Sequence, residues 1–205
     1  MFLLTKLTLL MNKITLIISG LILLFFSGGM AQDGMKSSLK NHQTNGGLKF
    51  ESESVNRSAN GTYSEIIQLF NLTGKAQAIQ FRILINKASD DYDALIFKDI
   101  EKGSDLKDPG WLLDFNVIKD SSKNSNAEEV FVLLYNSNQN SGLQPGDYFD
   151  LVKVNYKTIN LPDTKSIKKS SMKIVKAEAS TFDGFPLLIQ STKDEIKINI
   201  EGKKK

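Results

Sequence analysis

The 205-residue chain contains no cysteine, one histidine, four prolines and one tryptophan. Without cysteine there can be no disulfide, thiolate zinc site, iron–sulfur cluster, cysteine nucleophile or lipid anchor at a cysteine. The lone histidine, His42, lies in a polar stretch with no structured neighbour to orient or tune it, so a Ser-His-Asp arrangement has no base. There is no Gly-rich phosphate loop after a strand, no His-Glu-x-x-His, and no serine inside Gly-x-Ser-x-Gly. Glycoside hydrolysis needs only two carboxylates across a sugar, but nothing singles out a pair among the 23 acids. No site for catalysis is visible, and the chain reads as a non-enzyme.

Charge of one sign is also scarce. The formal net charge is +3, and two of the basic residues, Lys6 and Lys13, fall in the leading segment, so the remainder carries 24 basic against 23 acidic residues. That balance provides no field for nucleic acid or an anionic membrane. Lys168-Lys169 and Lys203–Lys205 are short enough to be solvated turns and ends.

Only one long apolar run exists, Ile14–Phe26, interrupted at Ser19 and Gly20. Met11-Asn12-Lys13 gives it a short basic start, and Met11 is a candidate for the true start of translation. Gly29 and Ala31 occupy the small-residue positions that a signal peptidase requires. The run is short for about 30 Å of hydrocarbon, which favours a cleaved signal over a retained anchor. Residues 1–31 are therefore expected to be an export signal cut near Ala31, leaving no stable membrane span and an extracellular or periplasmic product. Residues 32–47 are polar and Gly/Ser/Asn-rich, as in a flexible leader, and 202–205 form a basic tail.

Between them, residues 48–201 are strands and turns. In Ala78–Asn86, AIQFRILIN, Ile79, Phe81, Ile83 and Ile85 alternate with Gln80, Arg82 and Leu84, the period of a half-buried strand. Further strand segments are Leu48–Glu53, Trp111–Lys119, Tyr148–Tyr156, Ser170–Ala179, Pro186–Gln190 and Glu195–Glu201, with Tyr63–Leu72, apolar on both faces in its middle, and Glu129–Asn136, the most hydrophobic, expected to be central. Asn60-Gly61, Pro145-Gly146 and Asp183-Gly184 mark turns, Asn56–Gly61 reads as a loop, and Asp90–Ile100 as a short helix or a loop dipping Leu95, Phe97 and Ile100 into the core. About nine short strands with regular turns and no long amphipathic helix predict an all-β sandwich or jelly roll.

Two ligand chemistries can be tested on this pattern. Asp90-Asp91-Tyr92-Asp93 and Asp99–Asp108 are acid-rich, but an EF-hand loop begun at Asp91 would put Leu95 and Ile96 at its fifth and sixth positions, so the match fails. Calcium held by separated loops has no short signature, and no cofactor is signalled. Aromatic rings on a sheet face can stack on sugars; Trp111, Tyr135 and Tyr148, with Tyr92 and Tyr156, are the candidates, against the ordinary reading of aromatics as packing.

The order of these segments resembles a cohesin domain, the jelly-roll module of bacterial cellulosomes and related secreted proteins. The carrying residues are Gly74–Ile83 (GKAQAIQFRI), Gly103, Pro109-Gly110-Trp111, Asn116, Leu133-Leu134-Tyr135, Gly142–Phe149 (GLQPGDYF) and the Asp183-Gly184 turn, covering roughly Leu48 to Ile200. The resemblance implies a nine-stranded jelly roll related to carbohydrate-binding sandwiches. It also implies a role in polysaccharide-related surface assemblies, with a dockerin-like or other extracellular protein docked on one sheet face. A face of that kind should be flat, with a small apolar centre and a polar rim. The alternative is a module that recognises polysaccharide through exposed aromatics, with Trp111, Tyr135 and Tyr148 as contacts.

Overall fold

The computed structural model describes residues 46–85, 94–119, 128–161, 167–191 and 195–202. The export signal, His42, Asp90–Asp93 with Tyr92, and the last three lysines lie outside the described residues. Twelve strands are described: β1 Gly46–Phe50, β2 Ser54–Ser58, β3 Thr62–Leu72, β4 Ala78–Ile85, β5 Leu95–Lys102, β6 Trp111–Lys119, β7 Glu128–Asn136, β8 Gly146–Thr158, β9 Ile167–Ser180, β10 Pro186–Leu187, β11 Ile189–Ser191 and β12 Glu195–Glu201.

They form two sheets. One runs β11-β1-β3-β8-β5; the other runs β2-β12-β9-β4-β7-β6, with β10 pairing β9 off that path. The pairs β1–β11 and β2–β12 are parallel, and all other pairs are antiparallel. The inner faces follow from the alternation. Ile79, Phe81, Ile83 and Ile85 of β4, Val130, Val132 and Leu134 of β7, Met172 and Ile174 of β9 and Ile196, Ile198 and Ile200 of β12 are buried in one layer. Leu48, Phe50, Ile67, Leu69, Leu151, Val154 and Tyr156 are buried in the other, giving one continuous core. Each such aliphatic side chain contributes about 1.5–3 kcal/mol by leaving water.

Four sequence expectations need correction. The first half of the expected Asn56–Gly61 loop, residues 56–58, belongs instead to β2, an edge strand parallel to β12. Only Val55 and Arg57 of β2 turn inward, so it has too little apolar alternation to show in sequence. Residues 95–102 are neither helix nor loop but β5. A register shift between Phe97 and Asp99 spaces the inward set Leu95, Phe97 and Ile100 by two and then three residues, and the second step imitates helical spacing. Pro186–Gln190 is two pieces: β10 pairs β9 and β11 pairs β1, so the chain changes sheets at Leu188. The first strand also takes in Gly46 and Gly47 from the expected leader. At Gly46 a Cβ would press on the Asn71 carbonyl oxygen at 2.7 Å, so β1 can lie this close to β3 only without a side chain there.

Candidate functional site

The three aromatics expected to bind a ligand do not meet. Trp111 is 2% exposed, which corrects its reading as a stacking ring. It has the parity of Leu113, Phe115 and Val117, the residues of β6 that pair with Leu134, Val132 and Val130 on the core side. Tyr135 is 37% exposed on the outer face of the larger sheet, and Tyr148 is 59% exposed on the five-stranded sheet. The Lys49 ammonium lies 4.4 Å from the Tyr148 ring centroid and 5.9 Å from that of Phe70, so one face of Tyr148 is already occupied by a cation.

What the fold does assemble is an apolar face on the outside of the larger sheet. Because β7 runs Val130-Phe131-Val132-Leu133-Leu134-Tyr135, both of its faces are apolar, yet only one can meet the core. Phe131, Leu133 and Tyr135 therefore stand outward. The ladder sets Tyr135 between Leu112 and Ala78, Leu133 between Asp114 and Gln80, and Phe131 between Asn116 and Arg82. One step further, β4 and β9 pair Arg82 with Val175 and Leu84 with Lys173. The centre is apolar and half-buried, with Leu112 and Ile118 more exposed at its β6 side.

Polar groups border this centre in fixed positions. Arg82 Nη1 donates to Glu129 Oε1 at 2.8 Å, and Gln80 Nε2 donates to Glu178 Oε2 at 2.5 Å. With Asp114, Asn116 and Lys173 they provide donors and acceptors of both signs around an apolar strip. At the end of β6 and β7, the Asp108 carboxylate accepts the Gly110 N–H at 2.8 Å. That bond, the Ser141 hydroxyl and Asn136 hold Asp108 below the usual carboxylate range, although slight burial opposes the shift. The Asp108 carbonyl accepts the Trp111 N–H at 3.0 Å, which sets where β6 begins.

At the opposite side of the sandwich, β2 is joined to the other sheet by charge. Arg57 Nη2 donates to Glu65 Oε1 at 2.8 Å, and the Tyr156 hydroxyl donates to the same oxygen at 2.6 Å. Burial, then the hydrogen bond and charge of Glu65, push the Tyr156 hydroxyl far up. Burial alone would lower Arg57, but Glu65 and Tyr156 outweigh it and the guanidinium is raised. This cluster joins β2 to β3 and β8 of the other sheet. Among the described residues no group of three or more His, Asp or Glu is placed to hold a metal ion.

No family model matches the chain, and no curated protein matches it in sequence. Its fold is that of cohesins. A type I cohesin–dockerin complex from Clostridium thermocellum matches at 20% identity and TM-score 0.57, covering 77% of this chain and 95% of that one. The sixth cohesin of scaffoldin B from Acetivibrio cellulolyticus, in complex with a Cel5 dockerin mutant, matches at 16% identity and TM-score 0.57, covering 77% and 99%. A non-cellulosomal cohesin from the archaeon Archaeoglobus fulgidus matches at 14% identity and TM-score 0.51, covering 77% and 92%.

Proposed function

We propose that this chain is an exported, non-catalytic docking module that takes a protein partner on the outer face of its larger sheet. The observation that carries the reading is the row Phe131, Leu133 and Tyr135, apolar and outward on a sheet whose core is on the other side. Contiguous exposed apolar surface rimmed by polar groups is a common mark of protein–protein sites. The cohesin fold, present in two of these structures together with a dockerin, supports a dockerin-like partner. A partner presenting an amphipathic helical ridge would cover the centre with apolar side chains and meet Arg82, Glu129 and Asp114 at the rim, burying about 1,600 Å² in total. The setting we propose is extracellular or periplasmic, in a polysaccharide-related assembly, with the segment before residue 32 removed on export.

Polysaccharide as the direct ligand has less to stand on. Trp111 is in the core, and Tyr135 and Tyr148 are on opposite sheets, so no row of rings exists among the three.

The test is capture from secreted and envelope fractions of the source organism by the tagged full chain, with and without EDTA. Leu133→Asp and Tyr148→Ala serve as comparison variants, and thermal unfolding confirms that both fold. A charge at the centre of the face should weaken capture by at least about 30-fold, the effect of losing a hot spot of about 2 kcal/mol. Tyr148→Ala should capture as the unmodified chain does, and EDTA should release a partner folded around calcium. Capture that survives Leu133→Asp and fails with Tyr148→Ala, or recovery of polysaccharide without protein, would sink the proposal.

A further inference from the structure

Every open sheet has edges; among the described residues four strands end the two sheet paths, and three of them are blunted, while β10, off the path, is two residues long. β2 reads SVNRS, with no large apolar residue to offer; β5 carries Lys98, Asp99, Glu101 and Lys102 and a register shift; β11 is three residues long. These are ordinary defences against edge-to-edge pairing. The fourth path end, β6, is far less protected among the described residues. It pairs β7 without a register shift from Trp111 to Lys119 and has no proline. Between Leu112 and Ile118 its single charge is Asp114, while Leu112 and Ile118 are 42% and 47% exposed.

The backbone of this edge is oriented for pairing. The Trp111 carbonyl accepts from Lys102 Nζ at 2.9 Å and its N–H donates to Asp108, so the main-chain groups of Trp111 turn away from β7. Orientation alternates along an antiparallel strand, so the N–H and C=O groups of Leu113, Phe115 and Val117 also turn to the open side. The side chains are self-complementary about Phe115. In an antiparallel pair of two β6 strands centred there, Leu112 lies opposite Ile118 and Asp114 opposite Asn116 on the outer face. On the inner face Leu113 lies opposite Val117, and Phe115 opposite its own copy. No like charges are directly opposed, and the three outward-turned residues supply matching donors and acceptors.

We propose that β6 is a homodimerisation edge, joining two copies of this chain about a two-fold axis at Phe115 into one continuous sheet. Seven residues at about 3.3 Å each make a contact roughly 23 Å long. An interface of that length falls at the low end of specific ones, below about 1,200 Å², so the dimer is weak and concentration-dependent. The two-fold axis is perpendicular to the sheet, so the Phe131–Leu133–Tyr135 faces of both copies look the same way, side by side. A partner with two docking segments would then be held by both, at an effective concentration set by its linker.

Sedimentation of the full chain, as the cell processes it, from about 5 to 500 µM should show monomer passing to dimer, the range suited to so small an interface. The double variant Leu112→Lys/Ile118→Lys places two pairs of lysines opposite one another and should weaken dimerisation at least tenfold. Leu112→Lys/Ile118→Glu sets opposite charges across the same two rungs and should restore it. Independently of any variant, the amide hydrogens of Phe115 and Val117 should gain exchange protection as concentration rises. A monomer throughout, a dimer indifferent to the paired lysines, or a Lys/Glu variant no better than the Lys/Lys one would each overturn the proposal.

Discussion

Removing the charge of Arg57 while keeping its aliphatic stem, as in Arg57→Met, tests whether ionic contact or apolar packing holds β2 to the other sheet. The Glu65 side chain is 6% exposed and that of Arg57 26%, with 2.8 Å between guanidinium and carboxylate. Breaking a fully buried pair costs about 3–5 kcal/mol, because the surviving charge has no counter-ion. Water reaches the guanidinium here, so part of the pair is screened and the expected loss is about 2–3 kcal/mol. The guanidinium also lies 5.0 Å from the Tyr63 ring centroid, an exposed contact worth about 0.5–1 kcal/mol and included in that range. For a domain of this size the loss lowers Tm by about 5–10 °C. Glu65→Gln should cost less, about 1 kcal/mol, since an amide still accepts from the Tyr156 hydroxyl and a partly exposed Arg57 can turn to solvent. The double variant leaves no buried charge and should be more stable than Arg57→Met alone, giving a coupling of at least about 1 kcal/mol in urea unfolding. If the two single losses simply add, or if Arg57→Met is milder than Glu65→Gln, β2 is held by its ladder with β12 and the ionic account is wrong.

Two other perturbations read separate parts of the molecule. Asp108 is held below its ordinary pKa in the folded chain, so its contribution is complete above the unfolded value near 3.8 and is lost as pH falls through the lower folded value. The stability advantage of the unmodified chain over Asp108→Asn should therefore be constant around pH 6 and shrink below about pH 4, the ordinary carboxylate range, as followed by thermal unfolding across that range. At Gly103 an added Cβ would overlap the Asp150 carbonyl oxygen, while the Gly103 N–H donates to the Leu151 carbonyl at 2.7 Å. Gly103→Ala must push the turn after β5 off β8 and should cost at least about 2 kcal/mol in urea unfolding, as other steric clashes in packed sites do.

Much of the architecture was legible because one face of each long strand is dry. The alternation in β4 and β12 identifies both the element and its inner face, and the expected bounds of β6 agree with those observed. β2 was illegible because its tie to the fold is an ion pair with a residue eight positions on, and charges in sequence look like solvent. β5 was hidden by its bulge, and β10 and β11 by being too short to show a period. The candidate face leaves a trace in the sequence of β7. EVFVLLYN is apolar at every position from Val130 to Tyr135, which indicates a central strand but equally a strand with something to cover on both sides. Trp111 is a candidate stacking ring by residue type alone, whereas its parity with Leu113, Phe115 and Val117 assigns it inward.

The parallel pairings at the start and end of the fold bear on how quickly the sandwich can close. β1 waits for β11 and β2 waits for β12; Asn199 Nδ2 donates to Asn56 Oδ1 at 3.0 Å across 143 residues of chain. The entropy of closing so long a loop must be met before those contacts return anything, and sheets dominated by such pairings fold in milliseconds to seconds. During synthesis β2 has no neighbour in its sheet until residues 195–201 emerge, and Ile196, Ile198 and Ile200 are missing from the core until then. A nascent chain of this topology keeps one sheet open until β11 has emerged and the other until β12, so the sandwich is not complete before then.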